Sequence, residues 1–461
     1  MPRFMRSSQL PVDAEEAFAW HERPGALERL SPPFLPGRIE RSDGSLAPGS
    51  QVVLRVGPRG LPPRWVARHI TYEPPREFAD VQDSGPFASW HHRHRFEPGP
   101  SGTSLLTDDV SYRLPLGPLG QAVGGRFVAS QLARMFAYRH RVTATDLAAH
   151  AAARFRGVGS MRIAITGSTG LIGQALSAFL STGGHEVVPV VRGTPGQDQI
   201  GWQPNEGRID PEALRGVDAV VHLAGEPIAS GRWTSEQKRR ILESRVSGTK
   251  AIAEAIAALG EAGPQVLVSA SGVHYYGDRG DEELTESSQP GQGFLEHVCQ
   301  EWEAATAPAA AAGARVVTVR TGVALTPRGG ALARQLPLFK AGLGGPFGNG
   351  RQYDSWISLD DVVGLYHHAL TTPEVRGALN ATAPHPVTNA EFVRVLGRVL
   401  RRPTALQIPR FAPRLVLGEM ADALLFSSQR VLPVVAQDTG YRFRHPELEG
   451  CLRDLLGRTR A

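Results

Sequence analysis

Two hydrophobic patterns divide this chain. Up to about residue 150, apolar positions alternate with polar ones over short runs, at Gln51–Val56, Trp65–Tyr72, Trp90–Phe96 and Ser104–Leu114. Alternation with period two predicts strands buried on one face. A strand around Phe4 and a helix capped by Asp13, with Glu16 three residues on, precede them. A long helical pattern from about Leu119 to Leu147 closes the region, placing Val128, Leu132, Met135 and Phe136 on one face. A short helix, a meander of strands and a long helix is an α+β order. Residues 148–160 are rich in Ala, Gly and Arg and lack a strand pattern. They are expected to hold a linker, placed at 151–160.

From Met161 the pattern changes to continuous apolar strands alternating with helices, which predicts a doubly wound parallel sheet. The strands are Ile163–Thr166, Glu186–Val191, Asp218–His222, Gln265–Ala270 and Arg315–Arg320. Helical patterns return at Ala390–Leu400 and Leu415–Phe426. The expected organisation is a ligand-binding domain at 1–150, a Rossmann domain at 161–405 and a C-terminal extension at 406–461.

The first strand of the Rossmann pattern runs directly into Gly167-Ser168-Thr169-Gly170-Leu171-Ile172-Gly173 and then a helix. The three glycines have distinct roles. Gly167 permits a tight turn, Gly170 lets backbone approach a pyrophosphate, and Gly173 lets the helix pack closely. The helix N-terminus offers free amides to phosphate. The second strand ends on Arg192, where NAD-specific sites place an acid that binds the ribose hydroxyls. An arginine there suits the 2′-phosphate of NADP(H). Leu223, Ala224 and Gly225, with Ser269, Ser271, Thr321 and Gly322, end neighbouring strands and are expected to line the crevice.

Composition narrows the rest. The 461 residues are 41% hydrophobic and 21% charged, as in an ordinary globular protein. The net charge of +5 is spread along the chain, so a nucleic-acid stripe is not expected. No apolar run reaches membrane-spanning length, the N-terminus lacks a signal-peptide pattern, and Cys299 and Cys451 have no metal spacing. A cytoplasmic protein with a small-molecule substrate, without nucleic-acid or membrane partners, is expected. His92 and His94 share a strand face with Trp90 and Phe96. With no Cys, Asp or Glu in that run, they read as pocket-lining or packing residues, and no metal is expected.

The first region resembles the helix-grip, START-like cyclase/dehydrase superfamily, on Trp90-x-His92-x-His94-x-Phe96 and Asp108–Tyr112 followed by Leu114-Pro115. That resemblance implies a sheet gripping a long helix, with a cavity for an apolar ligand. The second region resembles the extended short-chain dehydrogenase/reductases, in particular an atypical branch named as an epimerase family. The residues carrying this include Gly225–Ile228, Arg232-Trp233, Ser244–Val246, Tyr275–Gly277, Asp281–Glu286, Trp302-Glu303, Gly344–Pro346, Trp356-Ile357 and Leu379–Thr382. Leu417–Met420 and Ser427–Pro433 match the branch's C-terminal extension.

The resemblance implies a nicotinamide cofactor and also raises a difficulty. The superfamily uses a Tyr-x-x-x-Lys pair, which one helical turn places on one face. None of the eight tyrosines here is followed four residues later by Lys238, Lys250 or Lys340. Aligned on Trp302-Glu303, the two positions fall near Leu295 and Cys299, and the superfamily's asparagine is Arg245. Only the serine, Ser271, remains. Three readings stay open. Tyr275, Tyr276 or His274, with Ser271 and Arg245, could do the proton chemistry of an NADP-dependent oxidoreductase or epimerase. The domain could bind NADPH without catalysis, as a regulatory protein linked to cell division. Or the first domain could carry an apolar ligand. Gly342–Arg351, rich in glycine, is expected to form a lid.

Overall fold

The computed structural model describes residues 1–35, 37–57 and 63–459, the side chain of Asn205 aside. The chain forms two compact units. The first contains residues 1–158, 181–184 and 454–461; the second contains 159–180 and 185–453.

The first unit begins with β1 (Arg3–Leu10) and α1 (Ala14–Glu22), whose Asp13 cap accepts from Glu16 N at 2.8 Å. After the single turn α2 (Ala26–Arg29) come β2 (Gly37–Ser42), β3 (Gln51–Val56), β4 (Arg64–Glu73), β5 (Glu77–Ser84), β6 (Ser89–Pro98) and β7 (Ser104–Arg113). All neighbours pair antiparallel in the order β1-β7-β6-β5-β4-β3-β2. The long helix α3 (Gly117–Phe155) buries Leu132, Phe136, His140 and Leu147. It continues to Phe155, five residues into the expected linker, because Ala151–Ala153 and their neighbours are strong helix formers. Rings of Phe18, Phe78 and Phe96 fill one end of the sheet's inner face, and Trp90, Tyr112 and Phe136 the other.

β5 escaped the sequence pattern. Its Glu77-Phe-Ala-Asp80-Val-Gln-Asp-Ser84 is half polar and short of β-branched residues, so alternation alone did not mark it. Cross-strand pairing with β4 and β6 holds it in place.

The second unit is an eight-stranded sheet ordered β11-β10-β9-β8-β12-β13-β15-β19. These are β8 (Arg162–Thr166), β9 (Glu186–Arg192), β10 (Ile200–Gln203), β11 (Arg208–Ile209), β12 (Ala219–His222), β13 (Val266–Gly272), β15 (Arg315–Thr321) and β19 (Gly377–Ala381). Only β10 and β11 pair antiparallel. The helices α4 (Leu171–Thr182), α5 (Ser235–Leu259) and α6 (Phe294–Ala304) follow β8, β12 and β13. Six short strands, β14 (Glu283–Leu284), β16 (Val323–Leu325), β17 (Tyr353–Asp354), β18 (Trp356–Ser358), β20 (Val387–Thr388) and β21 (Arg430–Val431), lie outside the main sheet. Strands covered on both faces must be apolar throughout, and Ile163, Ala164, Ile165, Ala219, Val220 and Val221 are all at most 1% exposed.

The expected helix Leu415–Phe426 is broken. Phe411–Leu417 is helical, Gly418 takes φ +64°, and Asp422–Phe426 forms a wider π turn. The glycine ends the first segment because its backbone enters the left-handed region. Among the described residues, no helix is long and apolar enough to cross a membrane.

Candidate functional site

At the end of β8, Gly167 adopts φ +67° and turns the chain toward α4. A Cβ on Gly173 would lie 2.1 Å from Gly167 O, so only glycine lets the helix sit this close to the turn. The first i→i−4 bond of α4 runs from Gln174 N to Gly170 O at 2.9 Å. The amides of Leu171, Ile172 and Gly173 therefore precede the helical ladder and remain available to an anion. Ser168, Leu171 and Ile172 are partly buried, and Thr169 and Gly170 are exposed.

Thr166, which has no part in the glycine pattern, fixes the neighbouring strand end. Its Oγ1 accepts from Leu223 N at 3.0 Å and Ala224 N at 3.1 Å, and sits 2.8 Å from His222 Nδ1. Leu223, Ala224 and Gly225 thus lie beside the glycine turn. Arg192 is exposed at the end of β9, next to β8. The donor set fits a dinucleotide: free helix amides for the pyrophosphate, a small-residue bed at 223–225, and a guanidinium one strand away.

Ser269 does not belong to this crevice. It is 1% exposed and its hydroxyl turns back to Ala270 O at 3.3 Å. Thr321 Oγ1 likewise points at Val319 O at 3.4 Å, and a Cβ on Gly322 would press Ser355 O at 2.2 Å. Their strand-end position was legible, but not the direction of their side chains.

Beyond β13 the structure assembles a network that spacing did not reveal. Ser271 Oγ donates to Glu303 Oε1 at 2.7 Å. Arg320 clasps the same carboxylate with Nε on Oε1 and Nη2 on Oε2, both at 2.8 Å. Arg320 Nη1 also donates to Tyr276 Oη at 2.9 Å, and that hydroxyl donates to Asn380 Oδ1 at 2.7 Å. Glu303, Arg320 and Asn380 come from α6, β15 and β19, so their meeting needed the sheet order. The only local signal was Trp302-Glu303.

Tyr276 is corrected as a candidate acid or base. It is fully buried, both sides of its hydroxyl are engaged, and burial pushes its pKa up to about 12. His274 is a poor candidate too, since burial pushes its pKa down to about 4, which makes it a weak base with no proton to give near neutral pH. Tyr275 differs. Its ring is partly exposed, and the Arg320 guanidinium carbon stands 3.4 Å from its centroid. Arg245 is buried over the Trp302 ring and donates through Nη1 to Glu226 O and Ile241 O, at 2.9 and 3.0 Å. Its Nε has no hydrogen-bond partner. Leu295 and Cys299 are both buried on α6, and burial pushes the Cys299 thiol up to about 12.

Residues 163–381 match the model of the NAD dependent epimerase/dehydratase family. An epimerase family protein of Mycobacterium bovis is 45% identical over 284 residues, covering 61% of this chain and 93% of that protein. The chain belongs to this epimerase family. Human epimerase family protein SDR39U1, solved with NADPH, is 36% identical, with a TM-score of 0.59 over 64% of this chain and 99% of the human one. A structure described as the nucleoside-diphosphate sugar epimerase from Corynebacterium glutamicum covers 98% of this chain and 90% of its own, at 36% identity and a TM-score of 0.81. In this epimerase-family chain, residues 10–138 match the family of polyketide cyclase/dehydrase and lipid transport proteins, and 408–455 match a domain of unknown function.

The first unit has its own polar centre. Trp90, His92, His94 and Phe96 all face inward on β6, as alternation requires. Carboxylates reach the histidines from the neighbouring strands: Asp80 pairs with His92 in register, and Asp108 with His94. His92 Nε2 is 2.8 Å from Asp108 Oδ1, and its Nδ1 is 3.4 Å from Asp80 Oδ2. Asp108 Oδ2 meets His140 Nε2 of α3 at 2.6 Å. Burial alone would push His92 down, but the two carboxylates outweigh it and hold its pKa up at about 9. Burial and that neighbouring charge push His94 down to about 3. The sequence pattern did not bring Asp80 to these pocket-lining or packing histidines, because it lies on the unrecognised β5.

The expected lid, Gly342–Arg351, borders a cavity of about 520 Å³ with Asp281, Arg410, Phe426 and Ser428. It is tied down: Phe347 N donates to Asn389 Oδ1 at 2.9 Å, and Gly348 N to Ile408 O at 2.9 Å.

Proposed function

We propose that the second unit binds NADP(H) across the ends of β8, β9 and β12 and works as an atypical oxidoreductase or epimerase. The glycine turn at 167–173, packed against α4 at a distance only glycine allows, carries this reading. The NADPH in the human relative supports it. Gly167–Gly173 would hold the pyrophosphate, Leu223–Gly225 the adenine side, and Arg192 the 2′-phosphate. The cofactor supplies hydride equivalents when bound.

Proton exchange falls to Tyr275, with Arg320 in place of the missing lysine. The guanidinium against the ring holds it in place through a cation–π contact. Ser271, held by Glu303, positions rather than reacts. The substrate is a small molecule, and the cavity bordered by Asp281, Arg351 and Arg410 suits a polar or anionic one. The test is single-turnover oxidation of bound NADPH against a panel of carbonyl compounds, nucleotide-linked keto sugars among them. Wild type should oxidise NADPH with at least one of them. Tyr275→Phe should bind NADPH equally and react about 100-fold more slowly.

A second reading has one observation behind it. Ser271, Glu303, Arg320, Tyr276 and Asn380 satisfy one another internally, as a fixed scaffold would. NADPH binding without oxidation by any compound in the panel would favour a regulatory protein.

A further inference from the structure

The polar centre of the first unit has no part in that chemistry. We propose that Asp80, His92 and His94 form a site for one divalent transition-metal ion of the zinc class, with Asp108 and His140 as its supporting shell. One ligand atom from each of the three residues lies within 4.8 Å of the others. Asp80 Oδ2 and His92 Nδ1 stand 3.4 Å apart. Ligands about 2.0–2.1 Å from a tetrahedral zinc ion stand about 3.3–3.4 Å apart, so this edge is already near its bound length.

The surroundings match what metal-binding histidines require. With His92 Nδ1 turned to the ion, its Nε2 is left to donate to Asp108 Oδ1 at 2.8 Å. A carboxylate on the far nitrogen fixes the tautomer and orients the ring. Asp108 is in turn held by His140, whose Nδ1 lies 2.8 Å from Ser8 Oγ. His94 is 8% exposed, and its Nδ1 has no hydrogen bond although Asp108 Oδ1 is 2.7 Å away, out of line. His69, opposite Asp80 in register, has a second buried Nδ1 without a partner. Buried ring nitrogens rarely go unpartnered, because an interior donor or acceptor that gives up water without a partner is costly. Beside a pair of carboxylates, the His94 nitrogen is placed to take a cation. The Asp80 side chain is 14% exposed, which leaves a way in. Three protein ligands leave a coordination position for water or for an oxygen of a ligand.

The test is a Co²⁺ titration of the full chain, first stripped with a chelator and followed by visible absorption, with Zn²⁺ as competitor. Wild type should take up one equivalent with the intense bands of a four-coordinate site and release it to Zn²⁺. Asp80→Asn and His94→Gln should each weaken binding at least about 100-fold, and Asp108→Asn about 10–100-fold. Circular dichroism checks that each variant is folded. X-ray absorption at the zinc edge of wild type should show two imidazole nitrogens, which keeps the test decisive even if the variants fold poorly. No stoichiometric uptake by wild type, as for a cluster held together by protons alone, overturns the proposal. So does uptake that Asp80→Asn and His94→Gln leave unchanged, which would place the ion elsewhere.

Discussion

Ser271 lies near the end of β13 and Glu303 on α6, and the serine hydroxyl donates to the glutamate at 2.7 Å. The same carboxylate neutralises Arg320, whose side chain is 5% exposed. Removing the carboxylate leaves a buried guanidinium without its counter-ion. Glu303→Ala should therefore lower unfolding stability by about 3–5 kcal/mol in urea titrations. Ser271→Ala should cost only about 1 kcal/mol, one hydrogen bond.

Arg192 is exposed and its value lies in what it contacts. A charge-assisted bond to the 2′-phosphate contributes about 1.5–3 kcal/mol. Arg192→Ala should weaken NADPH binding about 10- to 100-fold and leave NADH binding unchanged, as read by fluorescence titration. Equal losses for both nucleotides would show that the residue does not read the phosphate.

At Gly173 the added methyl has nowhere to go, because Gly167 O is 2.1 Å away and Ser168 Cα 2.7 Å away. Gly173→Ala should abolish detectable nucleotide binding and lower the Tm. Gly231→Ala, where a Cβ meets nothing within 4 Å, serves as control and should change neither.

Asp361 gives a pH signature. It is fully buried, and burial alone would raise its pKa. Hydrogen bonds from His445, Ser358 and the Arg444 amide outweigh burial and hold it below the usual 3.8. A depressed carboxylate stabilises the fold fully above its unfolded pKa and loses that contribution as pH falls through the folded value. As pH falls below about 4, wild type should lose stability more steeply than Asp361→Asn, while at pH 7 the variant should be the less stable. Parallel stability profiles below pH 4 would contradict this.

The sequence showed its local features and hid the long-range ones. Gly167–Gly173 could be read because turn, phosphate loop and helix start are contiguous. The inward face of His92 and His94 could be read because alternation is a property of one strand. Asp80 could not, since β5 is nearly as polar as a loop and its position depends on pairing with β4 and β6. Glu303, Arg320 and Asn380 meet only because α6, β15 and β19 are brought side by side. Tyr275 and Tyr276 are adjacent in sequence, yet one is partly exposed and the other fully buried, a difference set by packing against Val273, Leu284 and Val431.

The most direct measurement of the central claim is a calorimetric titration of the full chain with NADPH and, separately, with NADH. One NADPH site per chain, with clearly tighter binding than NADH, is the expected result. Failure of the wild-type protein, shown to be folded, to bind either nucleotide would contradict it.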